Sequence, residues 1–83
     1  MTDEEEIRKK VREVIITTFR LTPSQSIGPL SIDTVPAWDS LGHIELISCL
    51  SKEFSVSISH AEAIEMLDED SVIDVILRKC SLS

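Results

Sequence analysis

The stretch DSLGHIELISCLSKEF, residues 39–54, is the segment that decides the fold. With successive residues about 100° apart around a helix axis, four apolar side chains share one sector: Leu46, Ile47, Leu50 and Phe54. Leu41 and Ile44 fall on the opposite side, next to Ser40. Asp39 and Ser40 are both favoured N-cap residues. The pattern predicts an amphipathic helix that begins at Asp39 or Ser40, ends near Phe54, and turns two apolar residues outward.

Three further segments have helical patterns. The segment EEEIRKKVREVIITTFRL, residues 4–21, carries one apolar stripe, with acidic residues at its start and Arg20 near its end, as the helix dipole favours. A short helix is predicted around His60–Met66 and a last one over Ser71–Cys80, where Ser71 and Asp74 have the spacing of a capping box. The intervening SVSIS, residues 55–59, is interpreted as a connector, because a single short strand would have no partner.

Residues 22–38 predict a long loop between the first two helices. They hold all three prolines of the chain, and proline lacks the amide hydrogen that a continuous helix needs. Five apolar residues punctuate the loop and are expected to pin it to the core: Ile27, Leu30, Ile32, Val35 and Trp38. The predicted fold class is all-α: a small four-helix bundle of three main helices and one short helix, forming a single domain over residues 1–83.

Composition and charge exclude several classes of function. The chain has 83 residues and a net charge of -7, whereas a nucleic-acid-binding surface needs a basic footprint. No apolar run approaches the roughly 18 residues of a membrane span, and the start of the chain has no signal-peptide pattern. Cys49 and Cys80 have no disulfide-framework spacing and are interpreted as buried, reduced thiols. We therefore expect a cytoplasmic protein that inserts into no membrane and binds no nucleic acid.

Ser40 has two interpretations on local grounds. Serine is a common N-cap residue, so Ser40 can be a structural cap. The unpaired amides and positive dipole end of a helix also stabilise a phosphate-bearing group there, so Ser40 can be a site of chemistry. Leu41 and Ile44 likewise form either a contact patch or ordinary exposed apolar residues.

The order of these features resembles the acyl carrier protein family. Asp39-Ser40-Leu41 is similar to the family's D-S-L attachment motif, and the following residues agree without a gap: Glu45-Leu46, Leu50, Glu53-Phe54 and Ile58. The resemblance extends over the whole chain. It implies a non-catalytic, monomeric carrier whose Ser40 receives 4′-phosphopantetheine from coenzyme A through a separate Mg²⁺-dependent phosphopantetheinyl transferase. The thiol of that arm would carry an acyl group as a thioester.

The resemblance also implies roles for individual residues. Asp39 is expected to assist the transferase. The expected docking surface for enzymes with basic surfaces comprises Leu41, Ile44, Glu45 and Glu62. The expected lining of an acyl cavity comprises Ile47, Leu50 and Phe54.

Gly42 and His43 depart from the fatty-acid carriers of the family, which tend to have an acidic and a small polar residue there. WDSLGH, residues 38–43, looks more like specialised stand-alone carriers. The cargo remains open: fatty acyl, specialised lipid, polyketide or other secondary-metabolite groups, or aminoacyl or glyceryl groups. An unmodified helical protein–protein interaction module is the alternative.

An enzyme is not expected from this sequence. His43 falls in the core sector with no evident acid or nucleophile beside it, and is interpreted as a hydrogen-bonded, partly buried histidine. A metal site built from the histidines and cysteines fails on ligand spacing.

Overall fold

The computed structural model describes residues 4–81; residues 1–3, 82 and 83 lie outside the described part of the chain. Helix α1 spans Glu4–Phe19, α2 spans Ser40–Phe54, α3 spans His60–Glu65 and α4 spans Glu69–Ser81. A 3₁₀ helix, Ser24–Ser26, lies in the loop between α1 and α2. The all-α prediction is confirmed, with three main helices, one short helix, and residues 55–59 as a connector.

The core is mainly aliphatic, with Phe19 and Trp38 as its aromatic members, and lies where α1 meets α2 and α4. From α1 it takes Ile7, Val11, Ile15 and Phe19, and from α2 it takes Leu46 and Leu50. Met66 follows α3, and α4 adds four side chains to the cluster: Val72, Ile73, Val75 and Ile76. On α2, Ile47 and Phe54 are half-buried against this core, whereas Leu41 and Ile44 are exposed. The prediction of which side of residues 39–54 faces the core and which faces solvent is thereby confirmed.

The long loop is held to the core by three of its five apolar residues. Leu30, Val35 and Trp38 are each about 1% exposed, whereas Ile27 is 80% exposed, so the prediction that Ile27 pins the loop is wrong. Ile32 is partly exposed, but its backbone N–H donates to the Leu67 carbonyl at 3.0 Å. The backbone N–H of Glu69 donates to the Leu30 carbonyl at 2.8 Å. These two bonds attach the middle of the loop to the α3–α4 connection.

Arg12 joins three parts of the chain that the sequence pattern treats separately. Its guanidinium, on α1, donates to both carboxylate oxygens of Glu69 at 2.8 and 3.0 Å, at the start of α4. It also donates to the carbonyls of Ser26 and of Gly28, the latter at 3.1 Å. A planar guanidinium suits such a fork of acceptors. Arg12 therefore ties the first part of the loop to both terminal helices.

The start of α4 differs from its predicted cap. The Asp68 carboxylate accepts from the Ser71 backbone N–H at 2.7 Å, so the helix begins at Glu69 and the predicted capping box of Ser71 and Asp74 is wrong. A capping box does occur at α3, between Ser59 and Glu62. In the predicted capping box, the Asp74 side chain would have accepted from the Ser71 backbone N–H. Asp68, three residues before Ser71, already accepts from that N–H.

Candidate functional site

Asp39, not Ser40, caps α2. Asp39 has extended backbone angles, and its Oδ1 atom accepts from the Gly42 backbone N–H at 2.8 Å. Ser40 is consequently the first residue of the helix and is exposed. Within residues 4–81 no side-chain hydrogen bond of Ser40 is formed. Of the two candidate caps, Asp39 is therefore the one that is used. The Ser40 hydroxyl stays open to solvent at the positive end of the helix dipole.

Gly42 allows the first turn of α2 to lie directly against the loop. A Cβ atom at Gly42 would stand 2.2 Å from the Ala37 carbonyl oxygen and 2.9 Å from the Phe19 Cε1 atom. Phe19 in turn stacks on Trp38, with ring centroids 5.5 Å apart. The position of Ser40 therefore depends on the absence of a side chain two residues later.

His43 is hydrogen-bonded through both ring nitrogens. The Trp38 indole N–H donates to the His43 Nδ1 atom at 3.0 Å, and the His43 Nε2 atom lies 2.7 Å from the Ala63 carbonyl oxygen. An indole nitrogen is only a donor and a carbonyl only an acceptor, so the imidazole is the neutral tautomer with its proton on Nε2. The interpretation of His43 as a partly buried, hydrogen-bonded histidine is confirmed.

A groove of about 660 Å³ lies between α2 and α3, beside Ser40. Seven aliphatic residues line it: Ile32, Ile44, Ile47, Ile58, Ala63, Ile64 and Leu67. Its polar lining consists of Asp39, Ser40, His43, Ser59 and His60. An open groove with apolar walls and a few polar groups near Ser40 suits an apolar ligand held at one end.

The predicted cavity-lining residues are separated by the fold. Ile47 lines the groove beside Ser40. Leu50 is fully buried in the core, and Phe54 lines a different, more polar groove with Ile7 and Cys80. Of these three predicted residues, the structure brings only Ile47 together with Ser40.

The predicted docking residues are also divided. Leu41 and Ile44 are 69% and 66% exposed, and Glu45 is exposed on the same helix. Across the groove, Ile64 of α3 is 59% exposed. Sequence reasoning missed Ile64, since α3 is too short to show a helical stripe. Leu41, Ile44 and Ile64 together form what we call the apolar rim.

The Glu62 carboxylate forms an ion pair and a hydrogen bond within the protein. Its carboxylate accepts from Lys79 of α4 at 2.8 Å and from the Ser59 backbone N–H at 2.9 Å. The bond to Lys79, followed by the bond from Ser59, lowers the pKa of Glu62 to about 2. The negative charge that was predicted to serve docking is thus already paired with a lysine that joins α3 to α4.

The cysteines do not share one environment. Cys49 is exposed on α2, so its interpretation as a buried thiol is wrong, while Cys80 is partly buried. Cys49 lies next to Ser48 on the outward side of α2. Because both residues are small and only weakly polar, the sequence pattern did not show that this side of the helix faces solvent. In residues 4–81 the histidines, cysteines and carboxylates form no group of three or more that could hold a metal ion.

None of the helices described over residues 4–81 has both the length and the apolar character of a membrane span. The chain matches no protein-family model, and no curated protein shows a significant similarity to it.

Proposed function

We propose that this protein is an acyl carrier protein that bears 4′-phosphopantetheine on Ser40 and presents acyl groups to enzymes of fatty acid, specialised lipid or secondary-metabolite biosynthesis. The observation that carries the proposal is the placement of Ser40: an exposed hydroxyl at the start of α2, released from capping by Asp39 and opening onto an apolar groove. The resemblance of residues 39–58 to the family's attachment region supports the same assignment.

The residues present at Ser40 fit the prosthetic group. The Oγ atom would attack the pantetheine-bearing phosphorus of coenzyme A. A new Oγ–P bond forms, the P–O bond of the pyrophosphate breaks, and adenosine 3′,5′-bisphosphate leaves with the electron pair while the serine proton is released. The product is a phosphodiester with one negative charge, which the amides and dipole at the start of α2 stabilise. When attached, the arm supplies a thiol that carries the acyl group as a thioester.

The remaining roles follow from position. Asp39 is exposed and adjacent to Ser40, so its carboxylate can help the transferase's Mg²⁺ orient the serine while one oxygen keeps the cap. Leu41 and Ile44 lie on α2 just after Ser40, and Ile64 lies across the groove on α3, so the apolar rim offers contact area to partner enzymes. Glu45, exposed on α2, supplies a charge that favours basic partner surfaces.

Intact-mass measurement tests the proposal directly. The protein is incubated with coenzyme A, Mg²⁺ and a promiscuous phosphopantetheinyl transferase, alongside the Ser40→Ala variant and a Ser48→Ala control on the exposed face of α2. One phosphopantetheine mass should be gained by the wild type and by Ser48→Ala, and none by Ser40→Ala. A wild type that gains no mass, or a gain that survives Ser40→Ala, overturns the proposal.

A second candidate is an unmodified protein–protein interaction module, favoured by the exposure of the apolar rim. This function needs contact at Leu41 and Ile44 but no reaction at Ser40. Protein purified from its native source distinguishes the two. A complex that persists with Ser40→Ala, formed by native protein that carries no modification, supports the module instead of the carrier.

A further inference from the structure

Ser40 lies in a short segment that a side-chain hydrogen bond closes from end to end. The Trp38 indole N–H, at one end of this segment, donates to the His43 Nδ1 atom at the other end, at 3.0 Å. Between them, the Asp39 carbonyl accepts from the His43 backbone N–H at 2.7 Å, and the Asp39 carboxylate accepts from the Gly42 backbone N–H at 2.8 Å. The bonds of Asp39 begin α2, whereas the side-chain bond joins the beginning of α2 to the end of the long loop.

Trp38 is the fixed partner in this bond. Its side chain is buried, its ring stacks on Phe19 with centroids 5.5 Å apart, and its backbone N–H donates to the Val35 carbonyl at 2.9 Å. A buried donor that loses its acceptor costs free energy, so without His43 the indole would turn towards another acceptor. Because Trp38 lies two residues before Ser40 in the chain, that rotation would displace the serine.

The second ring nitrogen of His43 contacts a different part of the fold. Its Nε2 atom lies 2.7 Å from the Ala63 carbonyl oxygen, on α3. The residue after Ala63 is Ile64, a member of the apolar rim, so this bond bears on the position of α3. His43 therefore makes two separable contacts, one with the segment that carries Ser40 and one with α3.

We propose that His43 is a positioning residue for the modification of Ser40 and that it acts through its bond to Trp38. This inference rests on the proposed carrier function and adds to it a residue on which the transferase reaction depends. The neutral imidazole carries its proton on Nε2, which leaves Nδ1 as the acceptor that the indole needs. The effect passes from the imidazole to the indole, and from Trp38 along the chain to the serine hydroxyl.

Two conservative substitutions separate the contacts of His43. In His43→Asn the side-chain oxygen stands two bonds from Cβ, as Nδ1 does, so the acceptor for the indole is kept and the donor to Ala63 is lost. In His43→Gln the side-chain nitrogen stands three bonds from Cβ, as Nε2 does, so the donor is kept and the acceptor is lost. The one tryptophan of the chain gives one indole N–H signal in a ¹H–¹⁵N spectrum. Exchange of that proton with solvent should stay slow in His43→Asn and become faster in His43→Gln.

Initial rates of phosphopantetheine mass gain, measured over a range of protein concentrations, give kcat and KM for each variant. His43→Gln and Trp38→Phe should each lower kcat roughly tenfold, because a misplacement of about 1 Å can cost about 100-fold in rate. The double variant should lose no more than either single one. His43→Asn should keep the wild-type kcat, and so should the control Ser48→Gln, which places glutamine on the exposed side of α2. Partial unfolding would only lower the concentration of folded substrate, which raises KM and leaves kcat unchanged.

A wild-type kcat in His43→Gln or in Trp38→Phe overturns the inference. A kcat in His43→Asn as low as that in His43→Gln also overturns it, since the bond to Trp38 would then not be the one that matters. If circular dichroism shows that His43→Gln does not fold, Trp38→Phe decides alone, because it keeps a buried aromatic ring and removes the donor. A wild type that gains no mass at Ser40 is a different outcome: it refutes the carrier function, and the inference with it.

Discussion

Replacing Gly42 with alanine adds one methyl group at the closest approach between α2 and the loop. The new Cβ would stand 2.2 Å from the Ala37 carbonyl oxygen and 2.9 Å from the Phe19 ring. The ring can rotate, but the carbonyl precedes Trp38, which is buried and whose backbone N–H donates to the Val35 carbonyl at 2.9 Å. The first turn of α2 must therefore move away from the loop by about 1 Å to reach ordinary contact distance.

The magnitude follows from two opposing effects. Over-packing at a tight contact costs about 1–3 kcal/mol, and the upper end applies because the contact is made with backbone. Alanine favours a helix over glycine by about 1 kcal/mol. The expected net loss is therefore about 2 kcal/mol in the free energy of unfolding, which corresponds to a fall in melting temperature of roughly 8–16 °C for a domain of this size.

Urea denaturation measures this effect. Circular dichroism follows the helices, and the fluorescence of Trp38, the one tryptophan in the chain, follows the contact itself. Ser48→Ala, at an exposed position on the same helix, should change stability by no more than about 0.5 kcal/mol. A denaturation midpoint of Gly42→Ala equal to or above the wild type would refute the reasoning, since helix propensity alone predicts that outcome.

Three further perturbations test the core, the surface and an ion pair. Leu50→Ala truncates a fully buried side chain and should cost about 2–5 kcal/mol; an unchanged denaturation midpoint would show that Leu50 is not in the core. Leu41→Glu changes an exposed residue, so stability should change by less than about 0.5 kcal/mol while the rate of modification by the transferase falls; loss of the helical circular dichroism signal would contradict this. Glu62→Gln keeps the capping side chain but removes the charge paired with Lys79. Because the pKa of Glu62 falls from 4.5 to about 2 on folding, its stabilisation is present above pH 4.5 and is lost as the pH falls towards 2, so the stability of Glu62→Gln should depend less on pH in that interval than the wild type. Parallel curves of stability against pH would rule out this contribution.

Local patterns in the sequence were sufficient to predict the helices. The spacing of apolar residues over 39–54 predicted which side of α2 is buried, because that spacing and the 3.6-residue turn are properties of neighbouring residues. The proline-rich loop and the exposure of Leu41 and Ile44 follow from the same kind of reasoning. Ser40 could be located at the start of α2, although its release from capping depended on the backbone angles of Asp39.

Contacts between distant residues were decided only by the tertiary structure. Arg12 contacts Glu69, 57 residues away, and Glu62 contacts Lys79; many acids and bases could have formed such pairs, and no local pattern selects among them. The same holds for His43, whose periodicity placed it towards the core but whose partners, Trp38 and Ala63, depend on how the loop and α3 pack.

The sequence by itself therefore determined an all-α chain with an exposed serine at the start of its second helix. The tertiary structure decided what surrounds that serine: the groove between α2 and α3, and the His43 imidazole that lines it and bonds to Trp38 and Ala63. The physical reason is that helices form through interactions within about one turn. A groove, by contrast, is the space left between elements after their long-range packing is complete.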